Sequence, residues 1–155
     1  MLPIEPDDQN HARQRAMEAF ATAPSAFLAE RYAALERDLP PLLPVRGPEI
    51  GLVMLRGRTG GGGAPFNLGE ASVARASVRL ASGEVGHAVI LGRDGARAQA
   101  AAHLDAAWQR ADLRARIESE IVVPAFSQRD ADRAARAEET EATRVDFFTM
   151  VRGED

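Results

Sequence analysis

Four consecutive glycines, Gly60, Gly61, Gly62 and Gly63, stand between two segments that read as β-strands, and no other feature restricts the fold as much. Glycine loses more conformational freedom on folding than any other residue. A small domain therefore keeps such a run where bare backbone must come close to something. Arg56-Gly57-Arg58-Thr59 precedes the run and Ala64-Pro65-Phe66-Asn67-Leu68-Gly69-Glu70 follows it, so an anion such as phosphate is one candidate. No Gly-Lys-Ser/Thr ending is present, and the next segment reads as strand rather than helix. Neither a P-loop nor a dinucleotide-binding turn is therefore encoded. Two readings stand level: a strand-to-strand loop whose N–H groups cradle an anion, or a long hairpin loop docked on a partner.

The strands around the run follow from periodicity. Ile50 to Leu55 is a short apolar run. From Ala71 to Ala81 the chain alternates, with Ala74, Ala76, Val78 and Leu80 on one face and Val73, Arg75, Ser77 and Arg79 on the other. After a Ser82-Gly83 turn, Val85 to Leu91 forms a third strand, which Gly92-Arg93-Asp94-Gly95 ends. Short links between adjacent strands predict an antiparallel meander rather than βαβ units.

Helical patterns flank this sheet. Residues 9–23 place Ala12, Ala16, Met17 and Phe20 on one side. Pro24 breaks that helix, and Ser25 is placed to cap a second over 26–38, striped by Leu28, Tyr32 and Leu35. Pro40, Pro41, Pro44 and Pro48 predict a stiff extended connector, which would set the helical pair apart as an arm. Beyond the sheet, Ala96 to about Arg110 is an Ala-rich helix with Leu104 and Trp108 on one side, and Leu113 to Glu120 extends or follows it. Ile121-Val122-Val123-Pro124 reads as extended, and Ser127-x-x-Asp130 as a capping box opening a last helix through Glu141. That helix, almost all Ala, Arg and Glu, needs support from a partner. In the final segment Val145, Phe147, Thr149 and Val151 alternate with Asp146, Phe148, Met150 and Arg152, a strand apolar on both faces. Such a strand suits addition to a sheet edge, in its own domain or in a partner.

The resulting fold class is α+β: one domain over 1–155, with a helical arm at 9–38 and a body over 49–155 made of a small antiparallel sheet, packing helices and a C-terminal strand. A chain of 155 residues can bury roughly 68–70% of its unfolded surface. One Trp, one Tyr and six Phe leave that core to small aliphatic side chains, and a monomer built on it is marginal.

Charge and composition remove several function classes. All 19 basic residues are Arg, yet the formal net charge is −4, unlike a general nucleic-acid binder. Cysteine is absent, which excludes disulfides and thiolate chemistry and is compatible with the reducing cytosol. The acidic start carries no signal-peptide core, and no membrane span is expected, so a cytoplasmic chain is predicted.

Arg56 and Arg58 share a face if the first strand continues, and Arg75 and Arg79 share a face of the next. Together they could bind phosphate, or form a solvated face paired with Glu70 and Glu84. His11, His87 and His103 have no metal-ligand spacing, and His87 is expected to be buried and hydrogen-bonded within its strand. No metal site and no catalytic constellation can be drawn from spacing.

Two segments resemble one family closely. Gly51-Leu52-Val53-Met54 through Arg79, with its glycine run and Asn67-Leu68-Gly69-Glu70-Ala71, is similar to the central signature of PhnG proteins. Arg144-Val145-Asp146-Phe147-Phe148-Thr149-Met150-Val151-Arg152-Gly153 resembles their C-terminal signature, and Gly92-Arg93-Asp94 also fits. The resemblance implies a subunit of the bacterial carbon–phosphorus lyase core complex, acting with PhnH, PhnI and PhnJ and with the ATPase-like PhnK and PhnL. It implies a step in which a phosphonate displaces adenine from ATP, giving a ribose 1-phosphonate 5-triphosphate. ATP would be a co-substrate of the complex, with no cofactor bound by this chain alone.

The resemblance carries over no catalytic residue. The candidates for phosphate binding or subunit contact are Arg56, Arg58, Gly60, Gly61, Gly62, Gly63, Glu70 and Arg75. Those for partner binding are Asp146, Phe147, Phe148, Met150 and Arg152, with PhnI the expected direct partner. An assembly role for loop and tail is favoured, and a contribution of phosphate-binding groups is the addition to it.

Overall fold

The computed structural model describes residues 6–59 and 62–143. Helices α1 (Pro6–Thr22) and α2 (Ser25–Leu35) come first, the second ending in a 3-10 turn. Strands β1 (Leu42–Gly57), β2 (Phe66–Leu80) and β3 (Val85–Leu91) follow, and then helices α3 (Gly95–Trp108), α4 (Ala111–Ile117) and α5 (Val123–Ala142). The strands form an antiparallel sheet in the order β1-β2-β3, the expected meander.

Burial follows the alternation. Ala74, Ala76, Val78 and Leu80 of β2, with Ala88 and Ile90 of β3, face the helices and are buried. Against them lies α3, in which Ala98, Ala101, Ala102, Ala106 and Ala107 present almost no side chain to hold helix and sheet apart. The approach is so close that a Cβ on Gly86 would collide with the Ala102 carbonyl and lie 2.5 Å from the Ala106 nitrogen. Ala16, Ala19 and Phe20 of α1, and Leu28 and Leu35 of α2, belong to this same core, so residues 9–38 pack on the body.

Polar clamps fix these layers. Asp105 of α3, 1% exposed, accepts two hydrogen bonds from Arg13 of α1 at 2.9 and 2.8 Å and a third from the His87 backbone N–H at 2.9 Å. In the first turn of α3, Arg97 donates to the carbonyls of Ala21 and Ala23, satisfying groups left over at the end of α1.

Several expectations are corrected. The proline-rich stretch is not a connector, because β1 begins at Leu42 and takes in Pro44 and Pro48. An edge strand tolerates residues without an N–H, and the register shifts where these prolines fall. Gly47 there has φ +73°, a region that disfavours other residues, and its peptide to Pro48 is cis.

Ser25 does not cap α2; Pro24 occupies that position, and the Ser25 hydroxyl accepts from Arg97 at 3.3 Å. Residues 121–124 are helical rather than extended. Ile117, Ile121, Val122 and Ala125 are buried in succession, and a π-helical turn over Glu118–Val122 leads into α5. Pro124 lies in the first turn of α5, where its missing N–H costs little. With the helix already under way, Ser127 and Asp130 cap nothing. The strand expected over 145–151 lies outside the described residues.

His103, not His87, is the buried histidine. Its Nε2 is 2.8 Å from the Pro40 carbonyl, so it donates there and leaves Nδ1 to accept from the Tyr32 hydroxyl at 2.9 Å. Burial lowers the His103 pKa, partly offset by the Pro40 bond and the nearby Glu36 carboxylate. Burial, and then Glu36, pushes the Tyr32 hydroxyl up to about 12. A histidine held neutral in the fold but free to protonate when unfolded contributes stability that is complete above its ordinary value of 6.5. That stability drains away as pH falls from there through the lower folded value. Denaturant midpoints should therefore fall between pH 8 and pH 5, by less in His103→Gln than in the parent chain. Equal pH slopes in the two proteins would show that His103 is not the group responsible.

Candidate functional site

Past the point where β3 stops, the sheet narrows to a two-stranded ribbon. In β2, Val73 pairs with Leu91 of β3 on one side, and among the described residues those before it pair with β1 alone. The ribbon runs from Leu52↔Ser72 through Met54↔Glu70 to Gly57↔Phe66, and the glycine-rich loop closes its tip. Its side chains alternate between two faces, and β1 puts apolar residues on both: Leu52 and Met54 on one, beside Ser72 and Glu70 of β2, and Val53 and Leu55 on the other, beside Ala71.

Leu52, Met54 and Leu68 are 62%, 53% and 62% exposed, and Leu55 and Phe66 are also exposed. At a register shift after Leu55, the Leu68 side chain folds over Gly57, where a Cβ would collide with it. Two strands alone are at best marginally stable in water, and exposed apolar side chains on a long edge strand invite pairing or packing. Contiguous exposed apolar surface of this kind marks an interaction site.

The open face of the sheet continues the ribbon but changes character. Val89 and Leu91 of β3 stand exposed there, beside a polar row on β1 and β2. Glu49 links Arg46 at 2.8 Å and Arg75 at 2.9 Å. His87 lies on this face with Val85 and Val89, exposed rather than buried, with Nδ1 2.8 Å from Ser77 Oγ. Among the described residues no carboxylate hydrogen-bonds this pair, so it lacks the third member that a nucleophilic triad requires. No cluster of described His, Asp or Glu could hold a metal ion, and no described helix is long and apolar enough to cross a membrane.

The four arginines read as one phosphate patch are divided by the fold. Arg75 pairs with Glu49 in register, whereas Arg56 pairs with Asn67 near the tip. At about 3.3 Å per residue these positions are roughly 23 Å apart along β1. Arg79 sits still farther back, opposite Leu43. Arg56 and Arg58 are exposed at the tip, and neither has an ion-pair partner among the described residues. Gly62 and Gly63 sit in the tip loop with them, and Gly60 and Gly61 lie outside the described residues. Glu70 is exposed partway along the ribbon, opposite Met54. The partner-binding candidates Asp146, Phe147, Phe148, Met150 and Arg152 lie outside the described residues as well.

Two structural features escaped the sequence reading. The ribbon is longer than expected because Arg56-Gly57 and Phe66 to Glu70, read as part of the glycine-rich segment, pair as strand. The buried Asp105 clamp carries no local signal beyond a lone carboxylate inside an alanine-rich helix.

The family model described as phosphonate metabolism protein PhnG matches residues 11–153. Among curated proteins, the alpha-D-ribose 1-methylphosphonate 5-triphosphate synthase subunit PhnG of Rhizobium meliloti (strain 1021) is 53% identical over 150 residues, spanning 96% of this chain and 95% of that protein. The match runs through ribbon, loop, helices and the segment after α5, and the chain belongs to the PhnG family of phosphonate metabolism proteins.

Proposed function

We propose that this chain is the PhnG subunit of an alpha-D-ribose 1-methylphosphonate 5-triphosphate synthase and that the β1–β2 ribbon is its main assembly surface. The close relative bears that subunit name, which supports the activity. The observation carrying the assembly role is the ribbon, with exposed apolar side chains and, among the described residues, no third strand beside it. PhnI is the partner expected on it, with PhnH and PhnJ in the same core complex and PhnK and PhnL associated. The reaction is a transfer in which the phosphonate displaces adenine from C1′ of the ATP ribose. An isolated chain with no catalytic constellation would be inactive.

A second reading rests on Arg56 and Arg58. Two exposed guanidiniums beside a glycine-rich loop could reach the triphosphate of a nucleotide held by the partner, since Arg suits bidentate phosphate contacts. Arg75, held by Glu49, is not part of that group.

One assay tests both readings. Adenine release from ATP with methylphosphonate should require this chain together with its partner subunits. The complex carrying Arg56→Ala with Arg58→Ala should assemble but lose at least tenfold in turnover. Undiminished release without the chain overturns the subunit reading. Parental turnover by the assembled double variant overturns the phosphate contribution alone.

A further inference from the structure

The free edge of β1 is blocked along its first half and open along its second. In an antiparallel pair, residues directly opposite either bond each other or both turn their N–H and C=O away. Two contacts fix which residues do which. The His87 N–H turns away from β2 to Asp105, so His87 and Ser77 opposite it do not exchange backbone bonds. The Gly92 N–H donates to the Ser72 carbonyl at 2.8 Å, which puts the even-numbered residues of β2 on the β3 side. The odd-numbered residues of β2 therefore bond β1, Val73 to Gly51 and Ala71 to Val53. Ile50, Leu52 and Met54 are left facing outward.

Each of these residues offers an N–H and a C=O along roughly 13 Å of edge. None of these groups has a hydrogen-bond partner among the described residues. Farther back, Pro44 and Pro48 carry no N–H and the register shifts around them, which obstructs strand addition. That protection ends at Glu49. The exposed side chains of Ile50, Leu52 and Met54 share one face of the strand, in a row beside the open edge.

An occupant has to meet both backbone and side chains here. A helix uses its own N–H and C=O groups internally, so it could cover the apolar row but not satisfy the edge. An extended segment satisfies both, with apolar residues at alternate positions on the Leu52 face. A second copy of this chain fits poorly. Two β1 edges paired antiparallel about Leu52 would set Arg58 of each opposite Arg46 of the other, and like charges directly opposite are destabilising. The same pairing sets Arg56 opposite Pro48, which has no N–H to give.

We propose, resting on the ribbon as the assembly surface, that an extended segment of a partner subunit adds to β1 as a further strand along Ile50–Met54. That segment is apolar at alternate residues and carries no cation where it nears Arg56 and Arg58. The partner is then held by main-chain bonds as well as by the side chains of Leu52 and Met54.

A cryo-electron microscopy reconstruction of the assembled complex should place backbone N and O atoms of the partner within about 3 Å of those of Leu52 and Met54. In parallel, Leu52→Pro removes one outward N–H at a position where an edge strand tolerates proline, whereas Leu52→Ala keeps it. With circular dichroism matching the parent in both, the proline variant should bind its partner subunits at least tenfold more weakly than the alanine variant. A proline variant that fails to fold leaves the reconstruction of the parent complex to decide. Equal weakening by the two variants, or a partner helix resting on Leu52 and Met54 without backbone bonds, overturns strand addition and leaves the assembly surface standing. A ribbon exposed to solvent in the complex overturns both readings. An edge paired by a second copy, or by another part of this chain, also overturns the proposal.

Discussion

Leu52→Asp combined with Met54→Asp should leave the domain folded and prevent the synthase from assembling. Both side chains are more than half exposed on a ribbon that, among the described residues, β1 and β2 alone build, so neither substitution opens a cavity or strands a buried group. Surface changes of this kind alter stability by about 0.5 kcal/mol or less. In a dry subunit interface the outcome differs, because an unpaired carboxylate must either stay solvated, holding the surfaces apart, or be buried at a cost of several kcal/mol. Two carboxylates on one face should cost about 4 kcal/mol, roughly a thousandfold in affinity. Co-purification of partner subunits with the tagged variant should fail, while its circular dichroism and thermal transition match the parent chain. A complex recovered in parental yield would rule out the ribbon as the main assembly surface.

Gly86→Ala should have the largest effect on the fold itself. The added methyl would land on the Ala102 carbonyl and within 2.9 Å of the Ala106 side chain, and the obstruction is helix backbone that cannot rotate aside. Either β3 moves off α3, opening gaps beside Ala88 and Ile90, or the helix shifts and pulls Asp105 from the His87 N–H. Overpacking a well-filled core costs about 1–3 kcal/mol, and a clash with backbone belongs at the upper end. At about 2–4 °C per kcal/mol for a domain of this size, the melting temperature should drop by about 10 °C. Gly62→Ala is the control, since a Cβ there meets nothing within 4 Å and stability should be unchanged. Equal melting temperatures for Gly86→Ala and Gly62→Ala would contradict the close packing of α3 on the sheet.

The three strands and the inward face of β2 were legible because a period of two and a run of Gly, Ser and Asp turns are local signals. The Ala-rich helix was legible for the same reason. Residues 121–124 were misread because β-branched residues before a proline look extended in isolation. They are helical because Ile121 and Val122 complete the core against other helices. His87, expected to be buried, is exposed on similar grounds, and His103 is buried instead. A strand residue's face is set by register, and burial depends on which face the helices cover.

The glycine run shows the same division. Composition and order sufficed to place a backbone-rich loop between two strands, to exclude the familiar nucleotide loops and to reveal the PhnG resemblance. These are properties of neighbouring residues, and they survive without knowledge of distant ones. Whether Arg75 stands with Arg56 and how far the ribbon projects depend on contacts between residues far apart in sequence. Glu49 holds Arg75, Asp105 reaches across to Arg13 and His87, and α3 supports the sheet only as far as β3 extends. Side-chain chemistry placed the loop within the chain; long-range packing left it with Arg56 and Arg58 at the tip of an apolar arm, away from Arg75 and Arg79.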